Sequence, residues 1–400
     1  MVKIYKVTLK ALSPLIISKR MGFKGFSYEV EKYIIHGSIV RGALLTKMLE
    51  EGEDPITVNR LALSPDYAIT PFLATLNEKK SLYINSNIAH SLCFRTKKKI
   101  KGVSPVFSLD IENIVSKIRN KTPLEDILAE VFEKHSLKLA ETKKTWLMPG
   151  ETKTCSGSVI VEENRLWFIP SISSNVSIEV GLDHTRGSSA PGMLYAYEHV
   201  CEGTVYTGYI TVSDNSPLNT ILSKRELILS IGRGTTRGFG KVLATAEEIG
   251  FNKIKSNISK NLHKLEEPYI ALEAVSPVFK LDPLPLPLRE KDTVTISSEW
   301  LNKLGLPQDY EAEFEIIGIL GGYYRYQGWS MRNKAPKLPV KGLSPGSLIL
   351  AKIKSMKGDP LETLSLLPLI GLDNFASLGF NLVFPLQKDF IQIKPWEVKL

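Results

Sequence analysis

A strand-like segment that ends in Ser-Pro occurs twice in this chain and constrains its fold more than any other feature. Residues 3–12 alternate polar and apolar side chains, as a half-buried strand does, and Ser13-Pro14 ends the segment. Residues 269–279 repeat this order, with Ser276-Pro277 followed by two large apolar residues. We interpret the two segments as the first strands of two related domains.

A charged stretch over residues 253–267 separates the two segments and predicts the domain boundary. We expect an N-terminal domain over residues 1–252, with a helical insertion around 50–150, and a C-terminal domain over 268–400, joined by that stretch as a linker. A chain of 400 residues has room for two domains of ordinary size. A third Ser-Pro phrase, at 103–110, precedes a predicted helix, so the phrase alone does not mark a domain start.

Strand patterns outnumber helical ones and predict an α+β fold. Most segments from about residue 154 to residue 248 read as strands, and strands with few helices between them argue against a doubly wound sheet. Ser38 is expected to cap a helix over residues 39–50. Residues 281–288 carry proline at alternate positions, which removes ladder donors and predicts an extended loop.

Composition and charge favour a cytoplasmic protein with a polyanionic partner. Hydrophobic residues make up 43% of the chain and charged residues 23%, which is typical of a globular protein. No apolar run reaches the roughly 18 residues that span a bilayer, and lysines interrupt the N-terminal pattern, unlike in a signal peptide. Cys93, Cys155 and Cys201 are too widely separated for a disulfide framework or a close-spaced zinc motif. The net charge of +9 favours nucleic acid, although a solvated lysine-rich surface is the alternative.

The stretch over residues 231–242 is the most informative candidate for binding. Four glycines within nine residues permit positive φ and a close approach to a ligand, two arginines and a lysine supply charge, and a phenylalanine offers a stacking surface. A P-loop or a dinucleotide site would require a different glycine spacing and a following helix. We interpret the stretch as an RNA-backbone contact, and the alternative is a tight hairpin with solvated arginines. The candidate residues are Gly232, Arg233, Gly234, Arg237, Gly238, Phe239, Gly240 and Lys241.

A polar loop within residues 181–195 is the second candidate. His184, Thr185 and Arg186 lie between two apolar segments, where backbone N–H groups and hydroxyls could meet phosphate oxygens. The alternative is an ordinary connection in which Asp183 and His184 form a local hydrogen bond.

A glycine turn before the first helix is the third candidate. Gly37 precedes a helix N-terminus, which attracts anions. Arg41 lies in the first turn, where the helix dipole disfavours a cation unless an anion is also present. The alternative is that Arg41 pairs with a nearby carboxylate.

An aromatic segment over residues 323–332 and a basic run over 95–101 complete the candidates. The first interleaves tyrosines, arginines and Trp329 in a pattern suited to stacking on single-stranded bases, although such clusters also occur in cores. The second is an auxiliary basic patch. Nothing in the sequence implies a metal or a cofactor. For metal-independent RNA cleavage, His36 and His184 are the candidate acid or base residues.

Four segments together resemble the RAMP superfamily of CRISPR-associated proteins. They are the Gly-Ser-x-x-Arg-Gly-Ala-Leu helix start at residues 37–44, the loop over 183–195, the glycine-rich loop over 232–242, and Gly328-Trp329 followed by Pro-Gly-Ser at 345–347. The length and the Gly-Trp segment look most like the long RAMP subunit of subtype III-D effector complexes, in the group that holds the 5′ handle of the guide RNA.

The resemblance implies two ferredoxin-like (RRM-like) domains with antiparallel sheets and a binding role without cleavage. It implies guide RNA (crRNA), the large polymerase-like subunit and the RAMP backbone subunits as partners. Carried over to this sequence, it implies RNA contacts in the glycine-rich loop, the middle loop and the first helix. The residues are Arg233, Arg237, Gly238, Phe239 and Lys241, then Thr185 and Arg186, then Arg41. His36 stands where the family usually has proline, and Ser188 and Ser189 depart from the middle motif.

A second glycine-rich segment, at residues 371–381, corresponds to the first but lacks basic residues. We therefore expect the C-terminal domain to serve structure or protein contacts. Two other functions stay open, a metal-independent repeat-RNA endoribonuclease that uses His36 or His184, and a purely structural subunit whose basic surface meets another protein.

Overall fold

Strands make up most of the regular structure in the computed structural model. The structure describes residues 2–21, 27–75, 93–96, 106–108, 110–120, 122–123, 126–127, 129–130, 152–154, 159–162, 165–168, 172–183, 185, 188–262, 265, 267–282, 284–330, 335–336 and 338–386. No helix in this described part of the chain is long and apolar enough to cross a membrane.

Strands and helices before residue 249 alternate irregularly. The strands are β1 (Val2–Ala11), β2 (Ser18–Met21), β3 (Ser27–Val30), β4 (Ile34–Ile35), β5 (Tyr67–Ile69), β6 (Phe72–Ala74), β7 (Cys93–Thr96), β8 (Val106–Ser108), β9 (Thr152–Thr154), β10 (Val159–Glu162), β11 (Arg165–Phe168), β12 (Ser174–Asp183), β13 (Ser188–Val200), β14 (Val205–Ser213), β15 (Glu226–Ser230) and β16 (Lys241–Glu248). The helices are α1 (Gly37–Glu50), α2 (Pro55–Leu63), α3 (Ile111–Arg119) and α4 (Leu218–Leu222).

The remaining elements follow residue 250. The strands are β17 (Tyr269–Ala274), β18 (Phe279–Asp282), β19 (Leu284–Pro287), β20 (Thr293–Ile296), β21 (Ala312–Leu320), β22 (Tyr323–Tyr326), β23 (Trp329–Ser330), β24 (Ala335–Pro336), β25 (Val340–Leu343), β26 (Leu348–Met356) and β27 (Val383–Pro385). The helices are α5 (Phe251–Asn261), α6 (Ser298–Leu304) and α7 (Pro360–Ile370).

The first large sheet has the strand order of a ferredoxin-like fold. Its order is β15-β16-β1-β14-β6-β4, with β5 also paired to β14, and all these pairs are antiparallel. In chain order, β1, α1, the successive strands β5 and β6, β14, α4 and β16 follow the β-α-β-β-α-β pattern, with β5 and β6 together at the second strand position. The predicted strand over residues 3–12 is therefore a central strand, with a neighbour on each side.

The second large sheet repeats this arrangement. Its order is β20-β21-β26-β17-β27, and these pairs are also antiparallel. In chain order, β17, α6, β21, β26, α7 and β27 again follow the β-α-β-β-α-β pattern. The predicted α+β class, with two ferredoxin-like units and antiparallel sheets, is confirmed.

The first Ser-Pro phrase joins β1 to the start of β16. The backbone N–H of Lys241 donates to Ser13 Oγ at 2.9 Å, and that of Gly240 donates to the Pro14 carbonyl at 2.9 Å. In return, the Lys241 carbonyl accepts from the N–H groups of Leu12 and Ser13, at 2.9 and 3.2 Å. The phrase thus ends β1 and fixes the segment that leads into β16.

The second Ser-Pro phrase makes the same four hydrogen bonds. The N–H of Leu382 donates to Ser276 Oγ at 2.9 Å, and that of Asn381 donates to the Pro277 carbonyl at 3.0 Å. The Leu382 carbonyl accepts from the N–H groups of Val275 and Ser276, at 2.9 and 3.3 Å. The repeated phrase therefore builds the same joint in both sheets, while the exact domain limits stay a prediction.

A helix lies where the sequence predicts a linker. In α5, Ile254 and Ile258 are four residues apart, which places them on one helical face, and both are buried. They belong to an apolar cluster that includes Tyr209 of the first sheet and Leu272 of the second. The connecting segment thus contributes to one apolar cluster that contains residues of both sheets. In the predicted helical insertion around 50–150, the described residues form helices α2 and α3 and strands β5 to β8.

The predicted extended loop over residues 281–288 is wrong, because β18 and β19 form an antiparallel hairpin. Phe279 lies opposite Pro287, but its N–H and carbonyl are each bonded to the Asn381 side chain at 2.8 Å. Phe279 therefore needs no ladder bond from Pro287. Opposite residues of an antiparallel pair alternate between bonded and non-bonded pairs, so prolines at alternate positions all fall on non-bonded pairs.

Candidate RNA interface

The glycine-rich loop between β15 and β16 adopts the left-handed backbone that its glycines predict. Gly232, Gly234, Gly238 and Gly240 have φ angles of 86°, 73°, 89° and 81°. At Gly232 space also requires glycine, since an added Cβ atom would lie 2.5 Å from the Ile16 carbonyl oxygen. Any larger residue there would force the loop away from its support.

Main-chain hydrogen bonds hold the loop against the segment that follows β1. The Arg233 N–H donates to the Ile16 carbonyl at 2.9 Å, in addition to the Ser-Pro joint already described. A short 3₁₀ turn, Thr235–Arg237, forms the tip. The loop backbone is therefore fixed at both ends before any ligand binds.

Cationic side chains of the loop lie at its surface. Arg233, Arg237 and Lys241 are all exposed. Arg237 forms an ion pair with Glu179 of β12, and its guanidinium carbon lies 4.9 Å from the centre of the Tyr197 ring. The arginine thus links the loop tip to the β12–β13 ribbon.

Phe239 packs inward at the same junction. Its ring centre is 5.7 Å from that of His199, whose Nε2 is hydrogen-bonded to Ser177 Oγ at 3.0 Å. Phe239 is half-buried, so part of the ring stays accessible for the predicted stacking on a base.

The ribbon residues that meet the loop share one face of β12 and β13. Ser177 lies opposite Tyr197 in the antiparallel register, and side chains two residues apart along a strand point to the same side. Glu179 and His199 therefore belong to the face that carries Ser177 and Tyr197. Sequence reasoning missed these residues; the only available signal was the alternation of polar and apolar residues along 174–180.

Arg41 is bonded within the fold. Its Nε donates to the Tyr67 hydroxyl at 2.9 Å, and an Nη donates to the Ala62 carbonyl. In place of the carboxylate named by the alternative interpretation, Arg41 meets a tyrosine and a main-chain oxygen. Burial raises the pKa of the Tyr67 hydroxyl, against the opposing effect of Arg41. Arg41 as an RNA contact stays a prediction, and its position gives it a structural role.

The N-terminus of α1 is covered by the second half of the chain, so the predicted anion site there is not open. A Cβ atom added to Gly37 would lie 2.8 Å from Cα of Gly379. Ser38 is not the helix cap, since His36 occupies that position and Ser38 Oγ is instead hydrogen-bonded to the Tyr326 hydroxyl at 2.8 Å. The second glycine-rich segment therefore packs where a ligand was expected.

His36 is buried at this interface. Its side chain is 7% exposed, and its Nε2 is hydrogen-bonded to the Tyr324 hydroxyl at 3.2 Å. Burial raises the pKa of Tyr324 to about 12, which keeps the hydroxyl protonated near neutral pH. The Tyr326 ring closes the other approach, at 5.6 Å between ring centres.

The other candidates lie in the middle loop, the aromatic segment and the basic run. His184 and Arg186 lie outside the described residues, and Thr185, between them, is exposed. Trp329 lies in the short strand β23, opposite Pro336. Their roles in RNA binding stay predictions. The basic run over 95–101 is described only as far as Thr96.

Comparison with known proteins places the chain in a family. The model of the RAMP superfamily matches residues 8–242, which is more than half of the chain and ends at the glycine-rich loop. No curated protein matches this chain. A solved chain of a type III-B Cmr-beta complex bound to cognate target RNA is 13% identical, with a TM-score of 0.40 over 94% of this chain and 96% of that one.

Two further solved structures are also similar. Oligomeric Cmr4 from Pyrococcus furiosus is 16% identical, with a TM-score of 0.26 over 62% of this chain and 100% of that one. A CRISPR-associated protein Cas6 is 9% identical, with a TM-score of 0.34 over 96% of this chain and 100% of that one. With the family match extending from the last residues of β1 through the glycine-rich loop, this protein belongs to the RAMP superfamily.

Proposed function

We propose that this protein is a non-cleaving, RNA-binding subunit of a type III CRISPR effector complex, and that its glycine-rich loop holds the backbone of the guide RNA at the 5′ handle. The observation that carries the proposal is the loop itself. Its backbone is fixed by hydrogen bonds to the segment after β1, while three cationic side chains stay exposed. A fixed backbone with exposed cations suits phosphate binding, because little conformational freedom of the loop is lost on contact.

The family assignment supports the wider setting. Resemblance to the long subunit of subtype III-D complexes suggests assembly with the large polymerase-like subunit and the RAMP backbone subunits, in the cytoplasm. The C-terminal half contributes a glycine-rich segment without basic residues, and it packs on α1. We infer a structural role for that half at this segment.

A binding role is favoured over repeat-RNA cleavage by the surroundings of His36. A general acid or base must come within hydrogen-bond reach of the reacting group. His36 is buried behind two tyrosines, so RNA would have to displace the second half of the chain to reach it. His184 is the remaining candidate for a nuclease.

The proposal is tested with the purified full chain and a 5′-labelled CRISPR repeat RNA without metal. Half of each sample is run on a native gel and half on a denaturing gel. We expect a shifted RNA that stays intact on the denaturing gel. A discrete cut that disappears in a His184→Ala variant would establish the nuclease instead, and the absence of a shift would contradict RNA binding by this chain.

A further inference from the structure

The aromatic segment over residues 323–326 is divided between two faces of a ribbon. β22 pairs with β25, and alternate residues of β22 point to opposite sides. Tyr324 and Tyr326 face inward, where they meet His36 and Ser38. Tyr323 and Arg325 face outward and are exposed. The inward face belongs to the interface already described, and the outward face has no role in it.

Two cations lie directly opposite each other on the outward face. Arg325 is the register partner of Lys341, and both side chains are exposed. Within the described part of the chain, neither has a carboxylate in an ion pair, unlike Lys303 and Lys357, which pair with glutamates. Like charges directly opposite on neighbouring strands are destabilising, so a bound anion at this position would relieve the repulsion.

An exposed aromatic ring adjoins the cation pair. Tyr323 keeps 57% of its surface in solvent, and Lys341 Nζ lies 4.4 Å from the centre of its ring. An aromatic ring and two positive charges thus lie side by side on the same face of the ribbon. A nucleotide offers the complementary pair of groups, a flat base and a phosphate.

We propose that Tyr323, Arg325 and Lys341 form a second contact for single-stranded RNA, here called the ribbon face. A phosphate binds between Arg325 and Lys341, and the adjacent base stacks on Tyr323. An acidic protein segment would use the two cations but would leave the exposed ring without a function, so RNA is favoured. The inference rests on the proposed RNA-binding function and adds a site in the C-terminal half.

The test compares variants of the full chain in binding a labelled 20-nucleotide single-stranded RNA over a range of salt. For Arg325→Gln with Lys341→Gln we expect a log–log salt slope shallower by about 0.7, the value for one lost phosphate contact on a single strand. For Tyr323→Ala we expect Kd to rise about 5- to 150-fold with the slope unchanged, because stacking does not release counterions.

Lys303→Gln with Lys357→Gln is the matched control, since it removes the same charge from the same half at cations that already have partners. A third variant changes Arg233, Arg237 and Lys241 of the glycine-rich loop to glutamine. If the ribbon and control variants bind RNA alike while this loop variant binds RNA more weakly, the ribbon face is not an RNA contact and the proposed function stands. If no variant differs from wild type, the proposed function fails as well. If polyglutamate binds the wild type but not the Arg325→Gln, Lys341→Gln variant, while the two proteins bind RNA equally, the ribbon face belongs to an acidic protein instead.

Folding of the ribbon variant is checked independently. Because Arg325→Gln removes a like-charge neighbour, its midpoint of thermal unfolding should equal or exceed that of wild type. A large drop would show that the side chain holds the ribbon together, which would contradict an unrelieved cation pair.

Discussion

The main chains of Gly37 and Gly379 are in direct contact, and this contact joins the first helix to the second glycine-rich segment. A Cβ atom built on Gly379 would lie 2.6 Å from Cα of Gly37. Gly379 also has a φ angle of 77°, which side chains with a Cβ rarely adopt. The corresponding region of the first half stays open at its exposed loop tip, so the two related segments have separate tasks.

Substitution of Gly379 should loosen the joint between the two halves. In Gly379→Ala, the left-handed backbone costs about 1 kcal/mol, and the clash with Gly37 adds to it. We expect the free energy of unfolding, measured in urea, to fall by about 2 kcal/mol or more. Gly42→Ala is the matched control, because no atom lies within 4 Å of its added Cβ and alanine favours a helix interior. Equal effects of the two variants would contradict the contact.

The two Ser-Pro joints should differ in stability although their hydrogen bonds are the same. Ser276 and Leu382 are fully buried, so Ser276→Ala leaves a main-chain N–H without a partner or water and should cost about 1–3 kcal/mol. In Ser13→Ala, water can reach the exposed N–H of Lys241, and we expect a loss of about 0.5–1 kcal/mol. Urea unfolding of both variants measures the difference, and a larger loss for Ser13→Ala would refute this account.

Asp373 should make stability depend on pH in an unusual direction. Burial raises the pKa of its carboxyl above the ordinary value of 3.8, against the opposing effects of the Thr295 amide and Lys280. The folded state therefore binds the proton more tightly than the unfolded state does. The stability that this bound proton contributes is lost as pH rises from about 3.8 through the raised pKa.

In the wild type, the Thr295 N–H donates to Asp373 Oδ1 at 2.8 Å. Asp373→Asn removes the pH dependence of stability while it keeps a side-chain oxygen for this N–H. We expect the stability of the variant relative to wild type to be greater at pH 7 than at pH 3.5, measured by urea unfolding at both values. A relative stability that falls as pH rises would mean that the pair with Lys280, rather than burial, controls the carboxyl.

Glu179 competes with RNA phosphate for Arg237 if the loop is the binding site. The ion pair is partly exposed, with 39% and 26% of the two side chains accessible, so its loss should hardly change stability. In Glu179→Gln the arginine keeps its contact with Tyr197 but loses the competing charge. We expect Kd for RNA to fall about two- to fivefold. Weaker binding would instead make Glu179 a residue that orients the arginine.

The sequence predicts the central strands and the loop because both depend on local patterns. Alternating residues identify β1, and the glycines identify a loop that needs positive φ. Ser-Pro phrases identify related strands because the serine hydroxyl and proline carbonyl make the same joint in each.

Long-range partners could not be predicted in this way. Arg41 meets Tyr67, and Ser38 meets Tyr326, 288 residues away, although the local patterns favour an anion or a helix cap. Alternation along 323–326 predicts two faces but not which of them meets the first helix. The pairing of Arg237 with Glu179 likewise depends on where the β12–β13 ribbon lies.

The salt dependence of RNA binding tests the central claim most directly. Arg233, Arg237 and Lys241 are changed together to glutamine, and the control changes Lys224, Lys303 and Lys357, three lysines that lie outside the loop and pair with glutamates. The account predicts that the log–log slope of the loop variant is shallower by about 2, at about 0.7 for each phosphate contact, while the control keeps nearly the wild-type slope. Equal slopes for the loop variant and the control would contradict the glycine-rich loop as the phosphate site.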